Sequence, residues 1–276
     1  MKTKKIKPSK IILFIVILLV SIIMIIPFVW MISSSFKYNT EIFTYPINWI
    51  PKIFRWENYQ KVWTKIPFST YFLNSLKLAV IVTIGQLIVC SLAAYSFSKL
   101  HYPGRDFLFL LYLGTMMVPW QAIMIPQFMV VRELGVYNTH WSLILINLFS
   151  AFGVFLLRQF MMSIPEDLSE AARIDGCSEF GTYRKIILPM CKPGIATLVV
   201  FTFNFMWNDY LAPMIYIDDD KLKTIQIGLA SFRTLYKTDY GLLMAGTVCA
   251  LIPMLIIYCF AQKYLVDGMS YTGVKG

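Results

Sequence analysis

The chain has 276 residues, 58% hydrophobic and only 14% charged, with a mean hydropathy of +0.63. A soluble domain is nearer half apolar and a quarter charged, so this composition describes a polytopic membrane protein. The formal charge of +10 forms no basic run interleaved with aromatics, which excludes a nucleic-acid surface and fits cationic loops on one face of a membrane.

A helix needs about 20 apolar residues to cross a bilayer. Stretches without charge predict six spans, at approximately 11–32, 71–97, 107–131, 141–158, 194–217 and 241–263. Lys2, Lys4, Lys5, Lys7 and Lys10 precede the first with no acid among them, which places the N-terminus in the cytoplasm. Six spans return the C-terminus to the same side. Ser33-Ser34-Ser35 opens a competing reading, a cleaved signal peptide, but the apolar stretch exceeds the usual h-region of about 7–15 residues. Residues 33–70 form an outer segment whose Pro46, Trp49, Pro51, Trp56 and Tyr59 suggest a folded cap with interfacial aromatics. Tyr102-Pro103-Gly104 predicts a short inner turn, and 132–140 a short outer loop. Span three carries Pro119 and Pro126, and span five Pro213. Prolines at membrane depth are tolerated where neighbours or cavities satisfy the freed carbonyls.

Residues 159–193 are a long inner loop rich in helix start and stop signals. Ser163 is placed to cap a helix, with Pro165 at its first position and Glu166 three residues after the cap. Gly176 can end that helix in a left-handed conformation. Ser178 can cap a second short helix, which Leu188-Pro189 closes before span five. The adjacent Ala171 and Ala172 would let another backbone approach closely. A helix that merely lies on lipid is the alternative.

Asp209 falls inside span five, and a charge at membrane depth faces a cavity or a partner. With Asn204, Trp207, Asn208 and Tyr210 it forms a candidate sugar path, offering hydrogen bonds and an aromatic face. A structural bonding network near the outer interface is the competing reading. Asp218-Asp219-Asp220 reads as a solvated turn.

Cys90, Cys177, Cys191, Cys249 and Cys259 form no C-x-x-C pair, so neither a disulfide framework nor a metal site is expected. The chain contains no H-E-x-x-H, no G-x-S-x-G and no phosphate-cradling G-x-x-x-x-G-K-[ST], and His101 and His140 fall on opposite sides. It is therefore expected to be neither an enzyme nor an ATPase. An ion-driven carrier would favour several intramembrane charges, and only Asp209 qualifies.

Glu170-Ala171-Ala172, Gly176, Ile186 and Leu188-Pro189 match the EAA loop of bacterial ABC importer permeases at every fixed position. Pro27-Phe28-Val29-Trp30-Met31, Asn74-Ser75-Leu76, Pro103-Gly104-Arg105, Trp207-Asn208-Asp209 and Gly273-Val274-Lys275-Gly276 resemble that family's carbohydrate-uptake branch. The likeness is to the shorter, maltose-permease-type subunit over nearly the whole length. It implies an all-α protein with one transmembrane permease domain over 1–276, six spans and a coupling helix between spans four and five. It implies that Glu170, Ala171, Ala172, Asp175, Gly176, Leu188 and Pro189 contact a separate ATPase, and that Lys275 and Gly276 reach between two ATPase subunits. The implied partners are a second permease, two ATPases and an external sugar-binding protein in the bacterial cytoplasmic membrane. ATP and Mg would sit on the ATPases, with no cofactor on this chain. A non-sugar ABC permease and an ion-coupled carrier are the alternatives.

Overall fold

The computed structural model describes residues 8–234 and 238–272, so the lysines before Pro8 and the tail residues Lys275 and Gly276 lie outside the described residues. The described residues are mainly helical, with one isolated bridge between Arg233 and Thr238. The chain divides into two compact units, one from residues up to Phe68 with Leu229–Leu251, the other from Ser69–Gly228 with the residues from Ile252 onward.

The first unit begins with α1 (Pro8–Ser35). None of its most apolar window is buried. A helix apolar on every face and uncovered along that window suits lipid, and at 1.5 Å per residue its length of about 40 Å exceeds the hydrocarbon core. The segment after it is ordered. Phe36 packs against Trp56 at 4.7 Å and Tyr59 at 5.1 Å between ring centroids. Asn58, on α2 (Glu57–Lys65), donates to the carbonyls of Ser35 at 2.8 Å and Lys37 at 3.0 Å. Those bonds satisfy carbonyls that the end of α1 leaves open.

The second unit holds nearly all of α3 (Phe68–Lys99), then α4 (Arg105–Gly114), continued by a tight turn at Thr115–Met117. The Tyr102-Pro103-Gly104 turn forms as expected, with Gly104 at φ +81°. α5 (Trp120–Glu133), α6 (His140–Asn147) and α7 (Ala151–Met162) follow. After the inner loop come α8 (Lys192–Asn208) and α9 (Leu211–Tyr216). The chain then crosses between the units in α10 (Ile225–Ala230) and again in α11 (Tyr240–Thr272). Among the described residues, three helices are each long and apolar enough to cross a membrane: Ser9–Ser35, Phe68–Lys99 and Tyr240–Tyr264. The number rises to six if each bent pair is one span.

The stretches expected as spans at 107–131, 141–158 and 194–217 each hold a helix interruption. The chain bends by 99° between Arg105–Met117 and Trp120–Glu133, where Val118 before Pro119 is pushed into an extended conformation. It bends by 40° between α6 and α7, where extended Ser150 accepts the Gly153 N–H at 3.1 Å. At Asp209, extended at ψ 122°, α8 stops, and the carboxylate accepts the Ala212 N–H of α9 at 3.2 Å. Pro213 breaks nothing, because it lies in the first turn of α9, where its missing N–H is not needed. Scanning for charge cannot see such breaks, since the residues that make them are mostly neutral.

The core of this unit gathers Cys90, Ala94 and Tyr95 of α3, Leu157 and Met161 of α7, and Leu198 of α8. Small residues allow the helices to meet. A Cβ at Gly194 would stand 2.6 Å from the Phe160 ring, and one at Gly153 2.9 Å from Cys90 Sγ. Gly194→Val should therefore overpack the contact between α7 and α8 by about 1–3 kcal/mol and lower the thermal midpoint of the detergent-solubilised chain.

Candidate functional site

The inner loop opens with a two-turn helix, Asp167–Ile174, the loop helix. Its start differs from the expected capping box. Ser163 Oγ donates back to the Phe160 carbonyl at 2.7 Å, and no side chain caps the helix at Glu166. The reason is that α7 runs on to Met162, which keeps the Ser163 hydroxyl in its last turn. The stop is as expected. Gly176 has φ +78°, its N–H reaches the Arg173 carbonyl at 3.0 Å, and the Cys177 N–H reaches the Ala172 carbonyl at 2.9 Å. This pair of bonds is the Schellman closure, which favours a residue without Cβ. Ser178 then accepts the Gly181 N–H at 3.1 Å and starts a second short helix, Glu179–Thr182. That helix does not end at Leu188-Pro189. It runs through a wide π turn, Tyr183–Ile187, and a further turn, Leu188–Met190, before bending into α8.

The two alanines differ in exposure, Ala171 being exposed and Ala172 buried. Ala172 is buried with Ser169 on the inner side, which corrects the idea of a two-alanine approach surface. Glu170, Ala171 and Asp175 are exposed beside Ile174, which is 87% exposed, and Phe180 is exposed on the following turn. Leu188 is partly buried against the core and Pro189 is exposed.

A ring of polar contacts ties this loop to α3. Lys99, 2% exposed at the end of α3, donates to the Ile164 carbonyl at 2.7 Å and to Glu166 at 3.1 Å. Arg173 lies 3.7 Å from Glu166 and bonds Glu179 at 2.9 Å. Glu179 accepts the Tyr95 hydroxyl at 2.7 Å, which returns the ring to α3 one helical turn from Lys99. Tyr183 and Ser91 share a further bond of 2.7 Å, and buried Tyr183 and Ile187 join the core, the Ile187 side chain worth about 1.5–3 kcal/mol in water-to-interior transfer. In the sequence Lys99 marks only the end of a charge-free run; its place four residues after Tyr95, on one helix face, was the available signal.

The second feature is a half-open cleft of about 650 Å³ in the same unit. Asn204, Asn208 and Asp209 line it, as does Tyr210. Trp207 does not: it is 1% exposed, stacked on Phe203 at 5.7 Å and edge-on to Phe72 at 5.2 Å. Position 207 falls on the buried side of α8, while 204 and 208 share the open side, one turn apart. Trp120, Gln121, Gln127 and Asn147 complete the polar lining and were not anticipated. The signal that could have found them is a carboxamide inside an apolar run beside a proline, which a charge-based scan passes over. Gln127 Oε1 accepts both Trp120 Nε1 at 2.9 Å and the Tyr216 hydroxyl at 3.0 Å, so its amide end is presented as a donor. Asn208 donates to the Asn204 carbonyl at 2.9 Å and side-chain oxygen at 2.8 Å. The acidic run at 218–220 is a bonded turn. Asn138 Oδ1 accepts the Asp218 and Asp219 N–H groups, each at 2.9 Å, and Asp218 accepts the Tyr137 hydroxyl at 2.6 Å.

A bent helical membrane chain with an ordered loop between two spans and a polar cleft has the form of a transport permease. The sequence matches the family described as binding-protein-dependent transport system inner membrane component over residues 6–271, and the chain belongs to that family of transport components, not enzymes. It is 35% identical over 258 residues to the probable ABC transporter permease protein YurM of Bacillus subtilis, covering 91% of this chain and 83% of that protein. It is 32% identical over 260 residues to the arabinooligosaccharides transport system permease protein AraQ of Halalkalibacterium halodurans, covering 93% of each. Its fold is similar to a solved bacterial ABC transporter involved in the import of the acidic polysaccharide alginate, with a TM-score of 0.81, 24% identity, and coverage of 95% of this chain and 99% of that one.

Two outcomes follow for the loop. Lys99→Met should loosen its anchor, since bonds to charged groups contribute about 1.5–3 kcal/mol; hydrogen exchange should quicken over 163–182 while α3 stays protected. The bond from Arg173, with a second from Tyr95, holds the Glu179 carboxyl below its usual range. This contact therefore supports the loop above the ordinary glutamate pKa and is lost as pH falls through the lowered value. Exchange over 178–183 should rise only in acid, and Arg173→Ala should move that rise to higher pH.

Proposed function

We propose that this chain is the transmembrane permease of an ATP-driven importer for a sugar or oligosaccharide. One observation carries the reading: the three helix interruptions, before Trp120, after Asn147 and at Asp209, all border the same polar cleft. Irregular backbone at membrane depth is stable where it lines a cavity, and broken helices commonly build transport sites there. The sugar assignment is supported by the match to an arabino-oligosaccharide permease along 93% of both chains, and by a lining of carboxamides and aromatic edges.

In this reading the helices form six spans in one permease domain, with both termini in the cytoplasm. The loop 159–193 is then cytoplasmic, and Asp167–Ile174 is the coupling helix. Glu170, Ala171, Asp175 and Gly176 with exposed Ile174 would meet an ATPase, while Ala172 and Leu188 hold the helix from within. Exposed Pro189 would meet the same ATPase from the turn before α8, and Lys275 and Gly276 would reach toward the ATPase pair. Asn204, Asn208 and Asp209 line the substrate path. Trp207 supports it from behind. A second permease and two ATPases carrying ATP and Mg complete the machine, and the family's dependence on a binding protein supports an external one here.

Recovery of an ATPase and a second permease with this chain from gently solubilised native membranes tests the assignment; recovery of the chain alone, while other membrane complexes stay intact, would count against it. Gly176→Val places a β-branched residue at φ +78°, a strain of about 1–3 kcal/mol. In the assembled transporter it should sharply reduce transport while ATP hydrolysis persists, whereas Gly176→Asn, which tolerates that conformation, should retain most transport.

A further inference from the structure

We propose that the cleft admits uncharged saccharides and rejects uronic acids, an inference that rests on the cleft being the sugar path. Among the described residues, the lining contains five carboxamides, Gln121, Gln127, Asn147, Asn204 and Asn208, and one carboxylate, Asp209. No lysine, arginine or histidine among them lines it. A carboxamide can donate and accept, which suits hydroxyl groups that do both. The bonds already made divide these roles. Gln127 presents donors, because its oxygen is held by Trp120 and Tyr216. Asp209, when ionised, presents acceptor oxygens, one of them already held by the Ala212 N–H. Trp120, Phe205 and Tyr210 add apolar faces against which the C–H side of a sugar ring can lie.

A uronate entering this space would shed water from its carboxylate and find no cation among this chain's described lining residues to replace it. Leaving a charge unpaired in a partly enclosed site is costly. A neutral hydroxymethyl group at the same ring position does not incur that cost. The solved neighbour imports an acidic polysaccharide on the same fold. Fold does not set the charge of the cargo; the residues in the cleft do.

The test uses the complete transporter, with its ATPases, second permease and binding protein, in proteoliposomes. A panel of neutral di- to tetrasaccharides is compared with matching uronic-acid oligosaccharides and their methyl esters, reading substrate-stimulated ATP hydrolysis and uptake. Neutral members should be carried, and each methyl ester should be favoured over its free acid by at least about tenfold. Gln121→Lys, which adds a cation to the wall, should narrow that ester-to-acid ratio even as total uptake falls. Free acids carried as well as their esters would overturn the proposal. A ratio unmoved by Gln121→Lys, in a variant that assembles and hydrolyses ATP, would also overturn it by placing the discrimination elsewhere. Silence toward every saccharide, with coupled transport of another solute, would remove the sugar reading itself and this inference with it.

Discussion

Inside a bilayer no water is present to satisfy a broken backbone, and most of this architecture follows from that constraint. Where a helix stops at membrane depth, its open N–H and C=O groups need partners from side chains or from a wet cavity. Here the partners are Ser150 for one restart and Asp209 for another, and the third restart follows a proline that has no N–H to lose. The breaks cluster, and the space between them is the polar cleft. Asp209 caps α9 and also lines the cleft.

The same reasoning separates the two parts of the inner loop. Its second half is built into the core through Tyr183 and Ile187, packed with residues of α3, α7 and α8. Its first half, the loop helix, is held by charged contacts from Lys99 and Arg173 and keeps Glu170, Ala171 and Ile174 on the outside. The loop helix is thus closed by glycine at one end and clamped by ion pairs. Lys99 is buried, so losing these acceptors would leave an uncompensated charge.

Much of this was legible in the sequence. Charge-free runs located the helices, Gly176 and Ser178 marked the stop and second start of the loop, and the EAA pattern identified the family. The breaks were not legible from charge alone, because Pro119, Asn147 and Ser150 are neutral. Pro126 and Pro213 show why proline alone is an unreliable guide: one lies inside α5 and the other in the first turn of α9. Trp207 was misplaced by grouping it with its neighbours, when helical periodicity sends 204 and 208 one way and 207 the other. The ring from Lys99 to Tyr95 depends on contacts 67 to 84 residues apart in sequence, which no local pattern encodes.

The central claim is that substrate passes through the cleft where the three breaks meet. It is tested most directly by placing a cysteine at Asn204, in a chain whose exposed or partly exposed Cys177, Cys249 and Cys259 have been replaced, and labelling the assembled transporter with a membrane-impermeant thiol reagent. Labelling that proceeds in the resting transporter and is strongly suppressed by a transported sugar is the predicted result. A thiol that never reacts, or that reacts equally with and without transported sugar, would contradict it.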